Sequence, residues 1–197
     1  MDRILARLWV GDLADGHDIA EARCVHPITR ILNLSQYRYT TTRLLCLPIE
    51  HLPIDDEVLL PAATWTLVVR TIQQALEAGH HLLVHCRLGK SRAPSACAAY
   101  LMQCGFTPTE ARHLVLTSRR LADPHPATWE SVVRWHYARI TQTRPTAPPW
   151  QACGDANLLA RLEMLADLGP LHPPWAEAAP QVYDEAMERF VSPEEAL

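Results

Sequence analysis

The apolar positions of the chain alternate between two periods. Leu82-Leu83-Val84 is an unbroken apolar run, short enough for a buried strand. Just before it, Trp65, Val68, Val69, Ile72 and Leu76 recur at three- and four-residue spacing, one face of a helix that Gly79 closes. After it, Arg92-Ala-Pro-Ser-Ala-Cys-Ala-Ala-Tyr-Leu-Met reads as a second helix, with Pro94 in the first turn, where no N–H partner is lost. Thr107-Pro-Thr-Glu110 is a capping box opening a third helix through Leu114 and Leu116. A fourth helix starts near Thr128 and buries Trp129, Val132, Val133 and His136. This alternation predicts an α/β fold: a central, mainly parallel sheet of about four or five strands flanked by helices. A loop following a central parallel strand lies at the sheet's carboxyl end, the usual place for a ligand.

That loop is His85-Cys86-Arg87-Leu88-Gly89-Lys90-Ser91-Arg92. Between a strand and a helix it can turn its N–H groups inward as an anion nest, backed by the helix N-terminus. A cysteine in such a positive field is held as the nucleophilic thiolate. Arg92 supplies a planar fork for two phosphate oxygens, and Gly89 allows close approach of a phosphate. Cys86 and Arg92 are therefore the candidate catalytic pair, with Arg87, Leu88, Gly89, Lys90 and Ser91 as substrate-binding positions and His85 as support.

The His-Cys-x-x-Gly-x-x-Arg loop resembles the signature of the cysteine-dependent protein phosphatases, most closely the compact dual-specificity branch. Three further segments match in order. Arg7-Leu-Trp-Val-Gly-Asp-Leu resembles the opening strand and turn, ahead of a first helix near Asp18 to Arg23. Ile28-Thr-Arg-Ile-Leu-Asn-Leu-Ser resembles the second strand, which ends in Asn33 near the active-site floor; Asn33 fits an Asx turn equally well. Leu44-Leu-Cys-Leu-Pro-Ile and Leu52-Pro-Ile-Asp-Asp resemble the strand and loop that deliver the general acid. By position the acid is Asp56, with Asp55 in reserve; an exposed loop carboxylate or a helix N-cap would also account for Asp56.

The resemblance implies phosphomonoester hydrolysis through a phosphocysteine, on phosphotyrosine and on phosphoserine or phosphothreonine in proteins. It needs no metal or other cofactor. Two departures matter. Ala93 stands where the family usually has a hydroxyl that helps the thiolate leave. The acid loop is compact and carries two adjacent carboxylates. Two alternatives follow: Arg87 and Lys90 are both basic, as in phosphatases of inositol phosphates and phosphoinositides, and Ala93 is compatible with a phosphate-binding pseudophosphatase.

Composition narrows the picture further. The net charge is −4 over 197 residues. Residues 1–140 carry 15 Lys+Arg against 13 Asp+Glu, and residues 141–197 carry 3 against 9. The first segment is too weakly basic for nucleic acid to be the expected partner; a phosphorylated protein or small phosphorylated substrate is. Cys24, Cys46, Cys86, Cys97, Cys104 and Cys153 show no metal or CxxC spacing and are expected as reduced thiols. No leader or membrane span is expected, which predicts a cytoplasmic protein. The expected organisation is a phosphatase domain over 1–140, followed over 141–197 by a proline-rich linker and an acidic extension with two short helices.

Overall fold

The computed structural model describes residues 1–21, 26–39 and 47–140. The linker and tail helices expected beyond residue 140, three of the cysteines (Cys24, Cys46 and Cys153) and the first half, Leu44 to Cys46, of the strand expected over Leu44 to Ile49 lie outside them. The described part of that segment is a strand only from Ile49 on, through His51.

Among the described residues five strands, β1 (Asp2–Leu5), β2 (Leu8–Gly11), β3 (Arg30–Asn33), β4 (Ile49–His51) and β5 (Leu82–His85), form one sheet in the order β1-β2-β5-β3-β4. Only β1 runs antiparallel, paired with β2 across a two-residue connection. All four residues of β5 are buried, as the apolar run predicts for a strand covered on both faces. Among the described residues five helices accompany the sheet: α1 (Leu13–Ala20), α2 (Ala62–Glu77), α3 (Arg92–Gln103), α4 (Pro108–Ser118) and α5 (Pro126–Ile140).

Trp9, Leu83, Ile31 and Ile49 form one row across the sheet, and Ile19 and Ala20 of α1 pack over it. The alternate residues Val10, Val84 and Leu32 turn to the opposite face, where α3 crosses β2 and β5. Trp65 of α2 is fully buried and donates its indole N–H to Ser131 Oγ of α5 at 2.9 Å. The loop at 52–61 runs into α2 and the loop at 119–125 runs into α5, so this bond also fixes the spacing of those two loops.

Three element boundaries differ from expectation. The first helix starts at Leu13, not near Asp18, because Asp12 caps it: Asp12 Oδ1 accepts from the Asp15 N–H at 2.9 Å, and Asp15 Oδ2 accepts from the Asp12 N–H at 3.1 Å. The last helix starts at Pro126, whose missing N–H costs nothing in a first turn. The edge strand β1 was not expected; its four residues become a strand only by pairing with β2.

Candidate active site

The parallel register aligns the carboxyl ends of four strands: Gly11 lies opposite His85, His85 opposite Asn33, and Asn33 opposite His51. From this edge the chain leaves β5 and turns through residues 86–91 into α3.

The carbonyls of this loop are held from outside. His85 O accepts from the Leu34 N–H at 2.8 Å, Arg87 O from the Leu13 N–H at 3.1 Å, and Lys90 O from the Asp123 N–H at 2.8 Å. Arg119 Nε donates to Gly89 O at 2.7 Å, and the His85 ring N–H donates to Cys86 O at 3.2 Å. In a planar trans peptide the carbonyl and the next N–H point in opposite directions. Anchoring the carbonyls outward therefore turns the following N–H groups, those of Cys86, Arg87, Leu88, Lys90 and Ser91, toward the inside of the loop. Gly89 makes the turn at φ +63, where an added Cβ would strike the Arg119 guanidinium and the Gly11 carbonyl.

His85 is neutral in this setting. Its pKa falls to about 4 because burial disfavours the cation, while burial pushes the Tyr39 phenol up. The neutral tautomer satisfies both ring nitrogens: Nδ1–H donates to Cys86 O, and Nε2 accepts from the Tyr39 hydroxyl at 2.5 Å. Gly16 leaves room for this pair; a Cβ there would run into both the Tyr39 hydroxyl and the His85 ring.

Cys86 is buried at the base of a cavity of about 430 Å³. Asp56 and Glu57 border the cavity from the 52–61 loop, Arg87, Leu88, Lys90, Ser91 and Arg92 from the loop around Cys86, and Asp123 to Pro126 from the segment before α5. Arg92 is buried, and its Nη1 donates to Ile54 O at 3.2 Å and Leu34 O at 3.5 Å. That anchoring leaves the Nε side facing Asp56 Oδ2 at 3.0 Å, an ion pair whose N–H is not aligned for a hydrogen bond. Asp56 Oδ1 accepts from Ser91 Oγ at 2.7 Å, from the Glu57 N–H at 3.1 Å and from Thr128 Oγ1 at 3.4 Å.

The structure thus brings Cys86, Arg92, Asp56 and the loop positions together and leaves Asp55 out. Asp55 is exposed and accepts from Gln36 at 3.1 Å. Asn33 is buried at the end of β3 and organises the next loop, accepting from the Ser35 N–H at 2.9 Å and donating to Tyr37 O at 2.7 Å. Ala93 is fully buried and brings no hydroxyl. Among the described residues no group of three or more His, Cys, Asp or Glu could hold a metal ion, and no helix is long and apolar enough to cross a membrane.

Sequence reasoning missed three residues that support the site. Arg119 clamps Gly89 and pairs with Asp2 at 2.6 Å, Thr128 ties the acid loop to α5, and Tyr39 bonds His85. Only Tyr39 left a signal, since it lies in the Tyr/Arg-rich stretch after β3.

The chain is similar to known proteins in sequence and in fold. Residues 6–146 match the family model described as Swiss Army Knife protein, DSP-PTPase phosphatase domain. Dual specificity phosphatase 28 of Homo sapiens is 33% identical over 73 residues, covering 36% of this chain and 42% of the relative. Dual specificity protein phosphatase 5 of Rattus norvegicus is 27% identical over 145 residues, covering 73% of this chain and 37% of the relative. The chain thus spans less than half the length of either curated relative. The crystal structure of human DUSP28 superposes with a TM-score of 0.62 at 23% identity, covering 73% of this chain and 100% of that one. A match over most of the chain makes this protein a compact member of the dual-specificity branch of the cysteine-dependent phosphatases.

Proposed function

We propose that this protein is a phosphomonoester hydrolase that uses Cys86 as nucleophile, on phosphotyrosine and on phosphoserine or phosphothreonine in proteins. The observation that carries the reading is the meeting of three groups on one cavity: a buried cysteine under an N–H-lined loop, an anchored arginine, and a carboxylate 3.0 Å from that arginine.

In the first step the Cys86 thiolate attacks phosphorus, forming the S–P bond as the bond to the leaving oxygen breaks. Arg92 and the inward N–H groups hold the three equatorial oxygens, where charge spreads in the transition state. Asp56 gives its proton to the departing alkoxide or phenoxide. In the resting cavity Asp56 is surrounded by donors and paired with Arg92. A bound phosphate dianion draws the Arg92 guanidinium to itself and so takes it from its ion pair with Asp56. In the second step water attacks the phosphocysteine, Asp56 takes the water's proton, and the thiolate leaves as inorganic phosphate forms.

The test is hydrolysis of p-nitrophenyl phosphate and a phosphotyrosine peptide by the intact chain. Cys86→Ser should abolish both. Asp56→Ala should lower turnover by on the order of a hundredfold on the peptide, and by less on p-nitrophenyl phosphate, whose leaving group needs the proton less. A well-folded wild-type chain that binds vanadate but turns over neither substrate would contradict the reading and point to a phosphate-binding module.

A further inference from the structure

Most large apolar side chains of the described residues are inside. The exposed ones are Tyr37, Val58, Leu59, Leu67, Leu88 and Leu121, each 43% to 60% accessible. Leu67 sits on the outer side of α2. Val58, Leu59, Leu88 and Leu121 belong to the loops that build the cavity, and Tyr37 to the loop after β3. Leu88 borders it directly. Val58 and Leu59 follow Glu57, which also borders it. Leu121 lies between Arg119, which holds Gly89, and Asp123, whose N–H holds Lys90 O. Tyr37 lies under the Arg87 guanidinium, 5.6 Å from it. Scattered exposed leucines need no explanation, but their concentration around one opening does.

We infer that this apolar rim receives the polypeptide on either side of the phosphorylated residue, and that the protein selects phosphopeptides whose flanking residues are aliphatic. The inference rests on the phosphatase reading, because a phosphate seated over Cys86 obliges its carrier to lie across these loops. Charge on these loops is mixed: Asp55, Glu57 and Asp123 are exposed, and so are Arg38, Arg87, Lys90 and Arg120. It singles out no charged carrier, and Arg87 is already engaged with the Tyr37 ring. Aliphatic flanks cover carbon that is otherwise wet.

The test compares kcat/KM of the intact chain on three phosphotyrosine peptides of equal length, with leucine and valine, serine, or glutamate around the phosphotyrosine. Inositol polyphosphates and phosphoinositide vesicles are measured alongside. The expected result is an aliphatic-to-glutamate ratio of about tenfold or more, the scale of covering one or two exposed leucines. The double variant Leu59→Ser, Leu121→Ser should bring that ratio toward one. A ratio of one or below in the wild type would overturn the inference, as would faster turnover of inositol polyphosphates or vesicles than of any peptide. So would an aliphatic preference undiminished in the double variant. p-Nitrophenyl phosphate separates the two claims: turnover of it without flank preference overturns this inference alone, whereas no turnover of any substrate overturns the phosphatase reading as well.

Discussion

At Asp56 one ion-pair partner and three hydrogen-bond donors converge on one carboxylate, and they differ in what they do. In the proposed reaction Arg92 is the group that a phosphate would draw away, whereas Ser91, Thr128 and the Glu57 N–H hold the side chain at the cavity edge. Glu57 takes φ +63, an uncommon conformation for a residue with a Cβ, and its N–H also faces Thr128 Oγ1 at 3.3 Å. Thr128→Val should therefore lower kcat on a phosphotyrosine peptide by about fivefold, one modest hydrogen bond, with KM nearly unchanged. Serine at position 128 should restore it. Ala93 makes the opposite kind of prediction. The Ser91 hydroxyl is already occupied by Asp56 and by the His125 N–H at 3.1 Å, which leaves it poorly placed to assist the leaving thiolate. Pre-steady-state kinetics should show a burst of p-nitrophenolate followed by slow turnover. Ala93→Ser should shrink the burst and raise the steady rate by about fivefold to tenfold.

At the scale of elements, the loop around Cys86 is shaped mainly from outside. Arg119 is the clearest case: it is buried, reaches Gly89 O and Asp2, and lies 3.7 Å from Asp12. Arg119→Met removes the donor to Gly89 O and should cost about 1–3 kcal/mol of stability, read as a lower urea midpoint. It should also weaken vanadate binding more than Arg119→Lys does, because lysine keeps a donor. The sequence made visible the parts that depend on local chemistry. The run at Leu82 to Val84, the loop pattern, the α2 stripe and the Thr107 capping box all specify their own structure. The parts that depend on distant partners were not visible. Arg119 reads as one of two adjacent arginines after a helix, and nothing local says that it turns inward toward Gly89. The strand β1 likewise exists through its pairing with β2. The choice between Asp55 and Asp56 required the three-dimensional path of the loop, which sends Asp55 to Gln36 and Asp56 to the cavity.

At the scale of the molecule, two buried imidazoles among the described residues contribute to the response to acid. Burial lowers both His85 and His136 to about 4, from an ordinary value near 6.5. The unfolded chain therefore binds more protons than the folded one between those limits, so stability rises with pH through that window. The contribution is complete above about pH 6.5 and is lost as pH falls toward about 4; for His85 it is on the order of 3 kcal/mol. Urea unfolding midpoints should drop between about pH 7 and about pH 5, and His136→Phe should flatten part of that drop. An unchanged midpoint across that interval would mean that these imidazoles take up protons within the fold.

The central claim is that Cys86 carries the phosphoryl group, and acid-quenched labelling tests it most directly. The intact chain is mixed with a phosphotyrosine peptide bearing radiolabelled phosphate, stopped within one turnover, digested and mapped. The account predicts label on the peptide containing Cys86, stronger in the Asp56→Ala variant, whose second step lacks its base, and absent from Cys86→Ser. Rapid turnover with no label on Cys86, or turnover that survives Cys86→Ser, would contradict it.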